Sequence, residues 1–298
     1  MYVTMAATLG GIDGLPRTDF PVDDGRTALP HQPHQGASLT SEAGRETGSR
    51  GPGRMSDDAG MRVLVLGDLH YRLPHYDWLL GAAGDVDAVA IVGDLVDVVN
   101  PVPHEVQTVV VTDYLDRLAE QTRVFASSGN HDLDGPGEHG EQVASWLRRV
   151  GGGAHVDGRS VDVGDTRFTV CPWWDGPLTR DDVGEQLQLA AVDRPARWVW
   201  LYHAPPAGTA LCHDGQREFP DHDLVGWIEE HRPDLVFCGH VHQAPWAEGG
   251  SWHARLGQTW VFNAGKQIGK VPAHITVDTD AATADWFGVF GSESLSLV

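Results

Sequence analysis

The chain has 298 residues, a formal charge of −21 and only two lysines, Lys266 and Lys270. That balance withholds the basic surface on which binding of long DNA or RNA depends, and no apolar run reaches the length that would span a bilayer. Three cysteines, Cys171, Cys212 and Cys238, are odd in number and far apart, which excludes a disulfide framework and fits a reducing, cytoplasmic setting with each thiol acting as a small buried hydrophobe.

Residues 1–60 are rich in Gly, Pro, Ser, Thr and Asp, carry a charge of −3 (five arginines against eight acids), and show no apolar periodicity. Such a segment cannot bury enough apolar surface to offset its ordering entropy and is expected to be a disordered extension. It lacks the basic start and apolar core of a secretory signal. Translation beginning at Met55 or Met61 is the alternative. The remaining 238 residues are expected to form one domain, strongly acidic at −18.

The domain opens with a strand over 61–66, a helix over 74–83 and a buried strand over 87–92. A helix over 104–120, a strand over 123–127 and a helix over 138–150, stopped by Gly151–Gly153, follow. Strand–helix alternation of this kind signals a parallel sheet. Short strands over 154–156, 160–163 and 166–171, joined by Asp157-Gly158 and Gly164-Asp165, then predict antiparallel hairpins. A helix over 180–192, a strand over 197–202, a helix over 221–230 and a strand over 234–238 come next. Four more strands are expected over 251–254, 259–263, 274–278 and 284–289. The expected class is α/β, with two packed mixed sheets flanked by helices.

Five polar motifs close most of the apolar runs: Asp68-Leu69-His70, Gly93-Asp94, Gly129-Asn130-His131-Asp132, His203, and Gly239-His240-Val241-His242. Strand ends in helix-flanked sheets are where ligands bind. Asp68 and His70 are two apart at the end of a strand, so their side chains are expected to share a face and reach one ion. The mixture of carboxylate, imidazole and carboxamide suits Mn, Fe, Zn, Co or Ni better than Ca or Mg. Seven candidate ligands are too many for one ion but enough for two if a carboxylate bridges, and Asp94, exposed by the turn at Gly93, is the natural bridge. For any single histidine a hydrogen-bonded, partly buried imidazole is the plainer reading; it fails for the set.

This ordered combination resembles the calcineurin-like metallophosphoesterase superfamily over roughly residues 61–273. The resemblance implies a four-layer sandwich built on two mixed sheets and two divalent metal ions. The first ion would be held by Asp68, His70, Asp94 and His242, and the second by Asp94, Asn130, His203 and His240. It implies that His131 faces the substrate phosphate as proton donor or charge stabiliser. Asp97 matches an acid that orients this histidine in some branches; a solvated loop carboxylate is the alternative. The implied reaction is hydrolysis of a small phosphodiester or phosphomonoester by a metal-bridging hydroxide. No Arg follows His131-Asp132 and no Arg-Gly follows Asp97, so the large protein phosphatases are a poor match. A nuclease of the same superfamily and a catalytically idle metal-binding scaffold are the rivals. Trp173 and Trp174 could stack on a flat group or simply pack.

Overall fold

Within residues 60–298, the part of the chain that the computed structural model describes, strand β1 (Arg62–Leu66) sets the pattern for the rest. Val63 and Val65 face one core while Leu64 and Leu66 face another. This is the period-two alternation of a strand buried on both faces. After β1 come α1 (Leu73–Ala82), β2 (Ala88–Val92), α2 (His104–Ala119), β3 (Arg123–Ser127), β4 (Gly135–Pro136), β5 (Gln142–Val143), α3 (Ser145–Arg148) and β6 (His155–Val156). The second half holds β7 (Ser160–Val163), β8 (Thr166–Val170), α4 (Pro177–Ala190), β9 (Arg197–Leu201), α5 (His222–His231) and β10 (Leu235–Cys238). It closes with β11 (His253–Leu256), β12 (Thr259–Asn263), β13 (His274–Asp278), β14 (Thr283–Gly288) and β15 (Gly291–Ser296).

One sheet runs β15-β14-β13-β1-β2-β3-β6 and the other β11-β12-β10-β9-β8-β7. The first is parallel from β1 to β6 and antiparallel from β1 out to β15, while the second has a parallel centre, β12-β10-β9-β8, and an antiparallel strand at each edge. Their inner faces share one core, in which Phe125 of the first sheet stacks on Phe168 of the second with ring centres 4.2 Å apart. Fully burying side chains of this size contributes about 1.5–3 kcal/mol each. The outer face of the first sheet packs under α1, α2 and α3, and that of the second under α4 and α5. The order is therefore helix, sheet, sheet, helix, as expected. All three cysteines are buried and free. No helix among the described residues is long and apolar enough to cross a membrane. The disorder expected of the segment ahead of β1 falls on residues outside the described range.

Three expectations are corrected. The helix over 138–150 shrinks to the single turn α3, because Asp134 accepts the Ser145 and Trp146 N–H groups at 2.6 and 3.1 Å and starts the helix there. Ahead of it the chain makes the small β4–β5 hairpin, and Glu141 leaves to cap α4 through the N–H groups of Leu178 and Thr179. Second, β6 and β7 are not a hairpin, since they belong to different sheets; only β7 and β8 pair antiparallel. Third, β15 is an additional strand beyond those expected: it is an almost wholly exposed edge, with no apolar alternation to reveal it.

The turn between β6 and β7 carries a buried acid. Asp157 accepts the Ser128 N–H at 2.8 Å through Oδ1, while Oδ2 is buried without a hydrogen-bond partner. Burial outweighs the Ser128 hydrogen bonds and raises its pKa to about 6. Between pH 4 and 6 the folded chain then holds a proton that the unfolded chain has lost, so stability falls as pH rises through that window. Asp157→Asn should remove this slope and be more stable at pH 7, by on the order of 3 kcal/mol. Urea unfolding at pH 4 and pH 7 checks it; equal pH slopes in the two proteins would contradict it.

Candidate metal centre

The polar motifs lie in the loops that follow β1, β2, β3, β9 and β10, all at the same end of the parallel strands. Asp68, His70 and Tyr71 do not continue β1. All three are in left-handed backbone (φ 55°, 44° and 55°), as are Asp94 (52°) and His240 (68°). The even spacing of residues 68 and 70 therefore acts through a turn, not through strand alternation. Left-handed conformations of L-residues cost roughly 1–3 kcal/mol each and persist only where the surroundings fix them. Here the first two loops zip together: Asp68 N–H donates to Gly93 O, His70 N–H to Asp94 O and Tyr71 N–H to Leu95 O at 3.1, 2.8 and 2.9 Å.

Three donor clusters result among the described residues: one joins His70, Asp97 and His131, and the other two share Asp94. In the first of these two, donor atoms of Asp68, His70, Asp94 and His242 all lie within 4.8 Å of one another. His70 Nε2 is 3.0 Å from His242 Nε2 and 3.4 Å from Asp94 Oδ2, and His242 Nε2 is 3.3 Å from Asp68 Oδ1. The second gathers Asp94, His203 and His240. His203 Nε2 is 3.4 Å from Asp94 Oδ2, and Asn130 Oδ1 is 2.9 Å from His240 Nδ1. All seven side chains predicted as ligands thus converge, with Asp94 Oδ2 facing both groups.

The donor chemistry fits cations. Two imidazole nitrogens each bound at about 2.1 Å and roughly at right angles to one ion would be about 3 Å apart, the His70–His242 separation. Asp68 Oδ2 and His203 Nε2 are buried with no hydrogen-bond partner, which is costly unless something else satisfies them. His203 Nδ1 donates to Val92 O at 2.8 Å. A ligating histidine is oriented in the same way, by a hydrogen bond from its other ring nitrogen, and here Nε2 is left pointing inward. Burial, against the pull of Asp94 and Asp68, lowers the His70 pKa to about 4, and burial with the charge of His203 does the same for His240. Both are neutral donors at pH 7. Burial would lower His203 as well, but Asp94 and Asp68 outweigh it and raise that imidazole to about 9. In the same way His203 and His70 draw Asp94 well below the carboxylate range despite its burial. The pocket is an anionic cradle that asks for positive charge.

Glycine is required at two of the approaches. A Cβ at Gly93, itself at φ +74°, would overlap the His203 imidazole, and one at Gly129 would overlap Asp94 and His203. Three residues to which sequence reasoning gave no role brace the loops. Asp132, fully buried, accepts the N–H groups of Leu95, Val96 and Gly129 at 3.2, 3.0 and 2.8 Å, tying the second loop to the third. Asn263, at the end of β12, donates to Gly239 O and Val241 O, both at 3.1 Å, and so holds the loop of His240 and His242. Gln107 of α2 grips Asp97 through both backbone groups, at 2.8 and 2.9 Å. Polar residues next to the motifs, or closing a strand as Asn263 does, were the available signal.

His131 stands beside the first cluster. Its ring meets His70 edge-on with centres 4.4 Å apart, and its Nδ1 is 3.3 Å from Asp97 Oδ1. Asp97 is also 3.8 Å from His70 Nδ1 and only 16% exposed at the side chain, so it is not a freely solvated loop carboxylate. The Val98 N–H donates to the same Nδ1 at 3.4 Å, so the ring is held from that side and Nε2 is left for other work. Trp173 borders the second cluster, its ring centres 5.6 Å from His203 and 5.3 Å from His240.

No curated protein sequence matches this chain. Among solved structures, the purple acid phosphatase PPD1 of yellow lupin (Lupinus luteus) seeds is similar in fold, with TM-score 0.52 and 17% identity. That match covers 80% of this chain and 54% of the lupin protein, so the chain spans about half the length of that relative. A Thermus thermophilus protein matches with TM-score 0.49 and 15% identity, over 80% of this chain and 100% of the other. The E. coli phosphoesterase Yfce gives 0.40 and 16% with the same coverage. At 17% identity the likeness to the lupin protein is one of fold. Residues 61–244 match the family model described as calcineurin-like phosphoesterase, and on that match, which takes in well over half of the chain, this protein belongs to the calcineurin-like phosphoesterase family.

Proposed function

We propose that residues 61–298 form a dinuclear metal-dependent phosphoesterase that hydrolyses a small phosphodiester in preference to a monoester. The observation that carries this reading is the pair of donor clusters sharing Asp94. Asp68, His70, Asp94 and His242 would hold one divalent ion, and Asp94, Asn130, His203 and His240 the other. Bound there, two ions would supply a water of near-neutral pKa and positive charge against the phosphate oxygens. The chain's own groups do the rest. The backbone zipper between the first two loops fixes Asp94, and Val92 O fixes the His203 tautomer. His131, with Asp97 at Nδ1, would carry a proton at Nε2 to the leaving oxygen, a general-acid role typical of imidazole. Three free buried cysteines support a reducing, cytoplasmic setting.

The test is hydrolysis of bis-p-nitrophenyl phosphate and p-nitrophenyl phosphate by chelator-stripped protein reloaded with Mn. Metal-dependent turnover that favours the diester is expected. Faster monoester hydrolysis would make the enzyme a phosphatase, and no turnover with two ions bound would move the protein to the non-catalytic reading.

A further inference from the structure

Beside the second cluster lies a cleft of about 500 Å³ whose wall includes Trp173, Trp174, Phe219, Asp175 and Asp223, with His240 common to the cleft and the metal cradle. This volume is within the range of small-molecule sites. The aromatic walls are held in place. Trp174 Nε1 donates to the Tyr202 hydroxyl at 2.6 Å, and that hydroxyl donates to Asp221 Oδ2 at 2.5 Å. Asp221 is itself fixed by capping α5 through the Leu224 N–H. The Trp173 N–H donates to Ser128 Oγ at 2.9 Å. Phe219 stands edge-on to His240 with ring centres 5.8 Å apart, and the Arg217 guanidinium lies 4.8 Å from its ring centre.

The chemistry of this wall selects its occupant. Fixed aromatic rings favour a flat group, whose π-face stacks without regard to sequence or substituent. Asp175 accepts the Gln142 N–H through Oδ2 and Asp223 Oδ1 lies 3.9 Å from Arg180, which leaves the other oxygen of each to accept a hydrogen bond from an amino or hydroxyl group. A flat, neutral, donor-bearing group joined to a phosphate on the metal side describes a nucleoside. His131 stands with the first cluster and the cleft with the second, so the two substituents of a diester have different destinations. We infer that the cleft between Trp173, Trp174 and Phe219 receives the base of a nucleoside that stays on the product phosphate, the other substituent leaving on the His131 side. This rests on the phosphoesterase reading above. Water supplies the oxygen that bonds to phosphorus, the P–O bond to the other substituent breaks, and its oxygen takes the His131 proton. The proton released by water restores His131, and a nucleoside monophosphate departs.

Two readouts test it on the full chain. The Mn-loaded enzyme is given adenosine 5′-(p-nitrophenyl phosphate) and ethyl p-nitrophenyl phosphate, which share a leaving group and differ only in the retained one. The kcat/KM ratio should favour the nucleotide by at least about tenfold, the scale of one base stacked on an aromatic ring. It should fall toward one in Phe219→Ala, and in Phe219→Leu should the first variant fold poorly. Separately, adenosine should quench tryptophan fluorescence saturably in metal-stripped protein, and more tightly than benzyl alcohol, which has a ring but no base donors. Equal hydrolysis of both esters with no adenosine binding would overturn the cleft assignment and leave the phosphoesterase reading standing. Adenosine binding that is lost in Phe219→Ala, with neither ester hydrolysed, would overturn the enzyme reading and keep the nucleoside site. Benzyl alcohol binding as tightly as adenosine, or a ratio unchanged in both Phe219 variants, would overturn the assignment.

Discussion

Asp94→Asn should empty both halves of the metal centre at once. Asp94 is 1% exposed, and its Oδ2 lies 3.4 Å from both His70 Nε2 and His203 Nε2. It is the one side chain common to the two clusters. The carboxamide keeps the shape and can still accept the His131 N–H, which now reaches Oδ1 at 2.9 Å, so the loop should stay folded. What disappears is the negative charge that two cations would share. Metal content by mass spectrometry should fall from about two ions per chain to less than half of one under equal dialysis. Metal-assisted charge stabilisation is worth several kcal/mol and each 1.4 kcal/mol is tenfold, so turnover should fall by at least about a thousandfold. A variant that keeps both ions would remove Asp94 from the bridging position.

His131→Ala should separate proton transfer from metal binding. The side chain touches Asp97 and the ring of His70 but contributes no atom to the two clusters that share Asp94. Metal content should therefore match the wild type. Loss of a positioned general acid lowers turnover by about 10²–10⁴-fold, and the loss depends on the leaving group. An alkyl ester, whose alkoxide needs the proton, should suffer most; a p-nitrophenyl ester, whose leaving group departs as a stable anion, should suffer least. Asp97→Asn should reduce turnover less than the alanine variant does, because His131 keeps its ring. Equal losses for alkyl and aryl esters in His131→Ala would leave the residue a charge stabiliser and not a donor.

The architecture was legible wherever burial dictated composition. β2 is apolar throughout because helices cover one face and the second sheet the other, and β3, β7, β12 and β13 begin and end at their expected residues. The seven clustered residues were legible for a different reason: carboxylate, imidazole and carboxamide groups that close successive apolar runs stand out from those runs in the sequence. The local geometry was not legible. Nothing in Asp68-Leu69-His70 announces a turn in which Asp68, His70 and Tyr71 all take left-handed backbone, because tertiary hydrogen bonds to Gly93, Asp94 and Leu95 impose it. The helix expected over 138–150 was cut short because Asp134, an ordinary acid in sequence, starts it only at Ser145, while Glu141 leaves to cap α4. The bracing by Asn263 links positions more than twenty residues apart, a contact that no local pattern encodes.

The most direct test of the central claim is an anomalous difference map from crystals grown with Mn. Two peaks about 3.5–4 Å apart are predicted, one among Asp68, His70 and His242, the other among Asn130, His203 and His240, with Asp94 between them. A single peak, or two peaks that do not share Asp94, would contradict it.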